Sequence, residues 1–132
     1  MAERGLARAL RAGWPPLAWA ALIFLVSHQS RPLQLAAPFP HADKLVHAGI
    51  FAVLAGLTAR GILSLGQGGR RALGVAVLAA SLYGAIDEWH QSFVPGRDPD
   101  PVDWAADTAG ALLGAALVVG LPRRRSRASI RD

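Results

Sequence analysis

From Ala72 to Ile86 the chain runs through fifteen residues without a charged side chain. A helix on a water-soluble core shows one apolar stripe and one polar face. This segment has no polar face, which argues against a soluble helical bundle. Three further apolar spans accompany it: Trp14 to Val26, Leu45 to Leu63 with only His47 and Arg60 near its ends, and Trp104 to Leu121 with only Asp107. With their flanks they predict transmembrane helices over about 14–28, 45–63, 72–90 and 103–121. Each is close to the length that crosses a ~30 Å hydrocarbon core at ~1.5 Å per residue. The linkers are short, so neighbouring helices are expected to run antiparallel. The expected fold is an all-α integral membrane four-helix bundle, a single domain over 1–132 ending in a basic tail, 122–132.

Charge gives the expected orientation. Cytoplasmic loops of membrane proteins collect Lys and Arg. With four crossings, one rim receives Arg4, Arg8, Arg11, Arg60, Arg70, Arg71, Arg123, Arg124, Arg125, Arg127 and Arg131, against only Glu3 and Asp132. The opposite rim receives Arg31, Lys44 and Arg97 against Asp43, Asp87, Glu88, Asp98, Asp100, Asp103 and Asp107, together with all four histidines. The arginine-rich rim, and with it both termini, is therefore expected in the cytoplasm. The tail reads as a stop-transfer segment and an anchor for anionic lipid. It lacks interleaved aromatics, so no nucleic-acid partner is expected.

Arg4, Arg8 and Arg11 before a short apolar run also resemble a secretory signal, but no good small-residue cleavage site follows Ser27 to Ser30. Pro15 and Pro16 suit the first turn of a helix, where a missing N–H does no harm. Trp14 is expected at the inner interface, and Trp89 and Trp104 at the outer one.

Lipid gives no hydrophobic gain for bringing helices together, so close packing relies on small residues. Ala48, Ala52 and Gly56 recur every four residues on the second span. Ala76, Ala80 and Gly84 do so on the third, and Gly110 and Gly114, flanked by Ala111 and Ala115, on the fourth. These faces could meet within one chain or between chains, so an oligomer stays open.

The polar groups gather at three helix ends. Asp43 and His47 are four apart, as are Asp103 and Asp107, while Asp87, His90 and Gln91 are spaced by three and four, so each set shares a helix face. Asp100 reads as an N-cap, with Pro101 first in the helix and Asp103 near the positive end of the dipole. The run Val94-Pro95-Gly96-Arg97 reads as a tight turn that aims the guanidinium. Charged groups beside lipid are costly and mark working sites. The candidate site is Asp43, His47, Asp87, Glu88, His90, Gln91, Arg97, Asp103 and Asp107.

Three uses fit that set. The first is a divalent metal ion, with His47, His90 and Asp87 as candidate ligands. The second is acid–base chemistry by carboxylates in contrasting surroundings. The third is recognition of a phosphate or carboxylate by Arg97. Structural readings stand beside them: Asp103 taken alone reads as a helix cap, Lys44 neutralises Asp43, Arg97 stitches two helices, and His28 and His41 are solvated loop residues.

At these residues the chain resembles the VanZ-like family of small membrane proteins. The likeness lies in Asp43-Lys44-Leu-Val-His47-Ala-Gly-Ile-Phe51, in Asp87-Glu88-Trp-His90-Gln91-Ser-Phe93-Val-Pro95-Gly96-Arg97, and in Asp103, Gly110 and Gly114. It departs at Asp107, where an asparagine is usual, and at Asp100, where a serine is common. The resemblance implies a bacterial inner-membrane protein. It also implies a link to resistance against teicoplanin, a lipid-tailed glycopeptide, for which the family is named. The expected function is interaction with an amphiphile of the cell envelope, such as a lipid-linked molecule. The alternatives are a membrane hydrolase or transferase acting on a lipid head group, and a scaffold within a larger membrane complex. A proton-coupled transporter fits less well, since its charges belong near the midplane.

Overall fold

The computed structural model describes residues 2–30 and 41–121. All its elements are helices: α1 (Ala2–Ser27), α2 (Ala42–Ser64), α3 (Gly69–Gln91) and α4 (Pro101–Gly120). Each is long and apolar enough to cross a membrane, as the four apolar spans predict. The basic tail with Arg123 to Arg131, and Arg31, lie outside the described residues.

Contacts between the helices give an up-down-up-down bundle. Trp19 Nε1 of α1 donates to the Ile50 carbonyl of α2 at 3.0 Å, while Ala12 lies against Gly61, so these two helices are antiparallel. Ser81 of α3 meets Thr108 of α4 and Gly69 lies near Val119, which is antiparallel again. Gly110 packs on the backbone of Ala48 and Gly114 on that of Ala52, so α2 and α4 run parallel. The end of α1, the start of α2, the end of α3 and the start of α4 therefore share one end of the bundle. That end holds the candidate site.

The small-residue stripes meet within the chain. The backbones of α2 and α4 touch at the Gly110 and Gly114 positions, where any β-carbon on the glycine would collide with the facing backbone. Around this seam Ala55, Ala59, Ala72, Ala76, Ala111 and Ala115 are fully buried, and Phe51 is the largest fully buried apolar side chain among the described residues. Large aliphatic side chains point outward instead, among them Leu17, Leu78, Leu82, Leu112, Leu113 and Leu117. A bundle with alanine inside and leucine outside is built for lipid, where helices gain by close backbone approach rather than by hiding apolar surface.

Helix α1 corrects one expectation. It begins at Ala2, and Pro15 and Pro16 lie inside it, not in its first turn. Arg4, Arg8 and Arg11 alternate with Leu6 and Leu10 at helical spacing, so the helix continues beyond the apolar run. Pro16 has no N–H to offer the Ala12 carbonyl, and this carbonyl is the one that faces Gly61 across the α1/α2 contact. Ala12 is level with Gly61, and α2 ends three residues later at Ser64, so about the first seven residues of α1 extend past the end of α2, by ~10 Å.

The α2–α3 connection is a Schellman motif. Gly66, at φ 84, donates to the Leu63 carbonyl, and Gln67 donates to that of Ile62. After α3, Arg97 N donates to the Val94 carbonyl at 3.1 Å with Gly96 at φ 80. This is a turn with proline at its second position and glycine where φ must be positive, as the sequence predicts.

Candidate functional site

At the start of α4, Asp100 is the N-cap: its side chain accepts from Val102 N at 2.8 Å, and Pro101 follows in the first turn. The cap is therefore Asp100; Asp103, at the third helical position, could reach back only to the Asp100 N–H, which Glu88 takes instead. Asp103, one turn further on, is free to face α2.

What it faces is Lys44, the only lysine in the chain. Its Nζ donates to Asp103 Oδ1 at 2.5 Å and to Asp100 Oδ2 at 2.6 Å, and lies 3.1 Å from Asp43 Oδ2. Lys44 thus neutralises more than its sequence neighbour and ties the start of α2 to the start of α4. The Asp100 carboxyl is held below the usual carboxylate range, first by Lys44 and then by the Val102 N–H. Asp43 is the most exposed of the three acids.

One turn deeper stands His47. Its Nδ1 is 3.0 Å from Asp107 Oδ1, and its Nε2 faces Asp103 Oδ2 at 3.7 Å. Asp107 is 1% exposed and ranks with Phe51 as one of the two largest fully buried side chains. Its position six residues beyond Pro101 sets it ~9 Å inside the start of α4. The second oxygen, Oδ2, has no hydrogen-bond partner.

The end of α3 sends its polar groups two ways. Asp87 turns toward α1, where Ser27 Oγ donates to its Oδ2 at 2.8 Å. Glu88 turns toward the α4 start and accepts from Asp100 N at 2.7 Å. Gln91 Nε2 joins them, at 3.1 Å from Asp87 Oδ2 and 3.4 Å from Glu88 Oε1. Asp87, Glu88 and Gln91 are buried. His90 shares the α1-facing side with Asp87, as their spacing of three suggests. Its Nε2 meets His28 Nδ1 at 3.1 Å, and Phe24 packs against both rings. The metal set read from the sequence is therefore not assembled: His90 and Asp87 look toward α1, whereas His47 looks toward α4. Among the described residues, the donors that converge are His47, Glu88 and Asp107, with one ligand atom from each within 4.8 Å of the others.

Arg97 sits on the turn between α3 and α4, half-buried. Its Nε is buried without a partner, and among the described residues it forms no ion pair, so it does not stitch helices through a carboxylate. Ser27, His28 and Lys44 belong to this constellation but were absent from the candidate set. Phe24, Ser27 and His28 fall at i, i+3 and i+4, a shared helix face that could have exposed two of them. His41 is exposed and precedes α2 in a left-handed conformation, φ 64, with no side-chain cap.

Comparison with known proteins places the chain in a family. No curated protein and no solved structure matches it. The family profile described as VanZ/LLP1 matches residues 14–122, which span all the site residues above. The chain is thus a multi-pass membrane protein that belongs to the VanZ/LLP1 family.

Proposed function

We propose that the protein sits in the bacterial cytoplasmic membrane with both termini inside, and binds the polar head of a cell-envelope amphiphile at its outer rim. The carrying observation is Arg97. A guanidinium on a fixed turn, lacking a carboxylate partner among the described residues, is suited to grip an anionic head group bidentately. Asp43, His47, Asp87, Glu88, His90, Gln91, Asp103 and Asp107 make up the remainder of the polar surface behind it. The orientation is supported by the sorting of arginines to one rim and acids to the other. A shallow apolar groove of about 600 Å³ between α3 and α4, running from Ser81 and Thr108 to Arg70, gives an acyl tail a place alongside.

Family membership makes lipid-tailed glycopeptides a natural ligand class to try. Teicoplanin sensitivity is compared in cells carrying the wild type, a deletion, or Arg97→Ala at equal membrane level. Lipid co-purifying with wild type and with Arg97→Ala is compared in parallel. The reading expects a change of sensitivity on deletion, shared by Arg97→Ala, and loss of a co-purifying anionic lipid in the variant. Three identical phenotypes with identical lipid content would refute it. A second reading, chemistry on the head group, is favoured by Glu88 and Asp107 lying close together beside an imidazole.

A further inference from the structure

We propose that His47, Glu88 and Asp107 form a divalent cation site, with zinc or manganese the fitting class. The inference goes beyond head-group binding and does not depend on Arg97.

The cluster alone would carry little, since acids often gather without a metal. The added observation is Asp107 Oδ2, an acceptor on a side chain 1% exposed and without a partner. An unsatisfied buried acceptor costs about 1–3 kcal/mol, and more when charged. The charge pattern leads the same way. Lys44 is engaged by Asp43, Asp100 and Asp103, which leaves His47 as the basic group at Asp107. Two buried carboxylates sharing one imidazole lack a compensating cation, and buried charge without compensation is strongly unfavourable.

The geometry suits a metal. Donors at about 2.0–2.2 Å from a tetrahedral zinc stand roughly 3.3–3.6 Å apart, so a hydrogen-bonded pair needs to open by only about half an ångström to take a metal. His47 Nδ1 and Asp107 Oδ1 are 3.0 Å apart, and Glu88 closes the set within 4.8 Å. One nitrogen and two carboxylate oxygens suit zinc or manganese better than a thiol-seeking metal. The outer partners are present too. The other ring nitrogen of His47 faces Asp103, which Lys44 holds in place, and Glu88 is held by Asp100 N and Gln91. Metal-bound histidines characteristically turn their second nitrogen to a carboxylate. Three protein donors leave coordination open, as in catalytic rather than structural zinc centres.

The full chain is purified in detergent, stripped with a chelator and re-equilibrated with zinc or manganese alone. Metal content per chain and Tm are then read for wild type, His47→Ala, Glu88→Gln, Asp107→Asn, and a His28→Ala/His90→Ala double variant that removes the exposed imidazole pair. We expect about one metal per chain and a metal-dependent rise in Tm in wild type and in the double variant. We expect affinity at least about tenfold weaker in each of the other three. No retained metal and no Tm response in wild type would overturn the site. Equal retention by Asp107→Asn and Glu88→Gln, or loss on removing His28 and His90, would do the same. Should Asp107→Asn fail to fold, the double variant decides: a metal-dependent Tm there supports the site, and its absence refutes it.

Discussion

The Asp107 carboxylate fills the space that Gly84 leaves open: a β-carbon at position 84 would stand 3.0 Å from Asp107 Oδ2 and 3.3 Å from both Asp107 Cβ and Phe51. The absent side chain on α3 is thus part of the site on α4. Gly84→Ala should press on a buried carboxylate and on a core ring together. Overpacking of this kind costs about 1–3 kcal/mol, and Tm in detergent or bicelles is the readout. Gly110→Ala and Gly114→Ala should cost at least as much, because there the obstacle is the backbone of Ala48 and Ala52. Gly49→Ala and Gly74→Ala meet nothing within 4 Å and should be neutral or gain up to about 1 kcal/mol of helix stability.

Lys44 offers a test of the α2–α4 tie. Lys44→Met should destabilise the bundle by about 2 kcal/mol, between the values for exposed and buried ion pairs. Much of that loss reflects carboxylates left without a partner, so Asp103→Asn in the Lys44→Met background should cost less than in wild type. A double-mutant cycle with zero coupling between positions 44 and 103 would exclude the tie.

Acid should loosen the start of α4. The Asp100 carboxyl is depressed in the folded protein by Lys44 and the Val102 N–H. A depressed carboxylate contributes stability that is present above its unfolded value, 3.8, and is lost as pH falls through the folded value. Unfolding followed from pH 6 downward should show this loss below about pH 4, and Asp100→Asn should flatten it while lowering stability at neutral pH.

Orientation is directly accessible because the chain has no cysteine. Asp98→Cys on the α3–α4 turn and Gln67→Cys on the α2–α3 turn each introduce a single thiol. A membrane-impermeant maleimide applied to intact cells should label position 98 and reach position 67 only after permeabilisation. The reverse pattern would place the polar end in the cytoplasm.

The four spans were legible because an uncharged run such as Ala72 to Ile86 has no soluble solution. The seam was half legible: the glycine spacing marked the faces, but not that α2 meets α4 in parallel. That pairing depends on how α3 returns the chain, which composition does not encode. The start of α1 was missed because hydropathy registers arginines as an end, whereas helix geometry lets Arg4, Arg8 and Arg11 continue the same rod. At the candidate site, Asp43, Glu88, Asp103 and Asp107 were singled out from their cost beside lipid. The shared direction of Asp87 and His90 follows from their spacing, but not that this face looks to α1 and away from His47. Asp87 and His90 turned toward α1, and Glu88 toward α4.

His47 and Asp107 are sixty residues apart in sequence, and Lys44 reaches Asp103 over nearly the same distance. Synthesis therefore delivers the basic half of the site well before most of its acids. A nascent chain halted after α3 carries an ammonium at the rim with only Asp43 of its three partners, and an imidazole without its buried carboxylate. The fourth helix completes the candidate site, so its assembly waits until α4 has emerged and packed against α2.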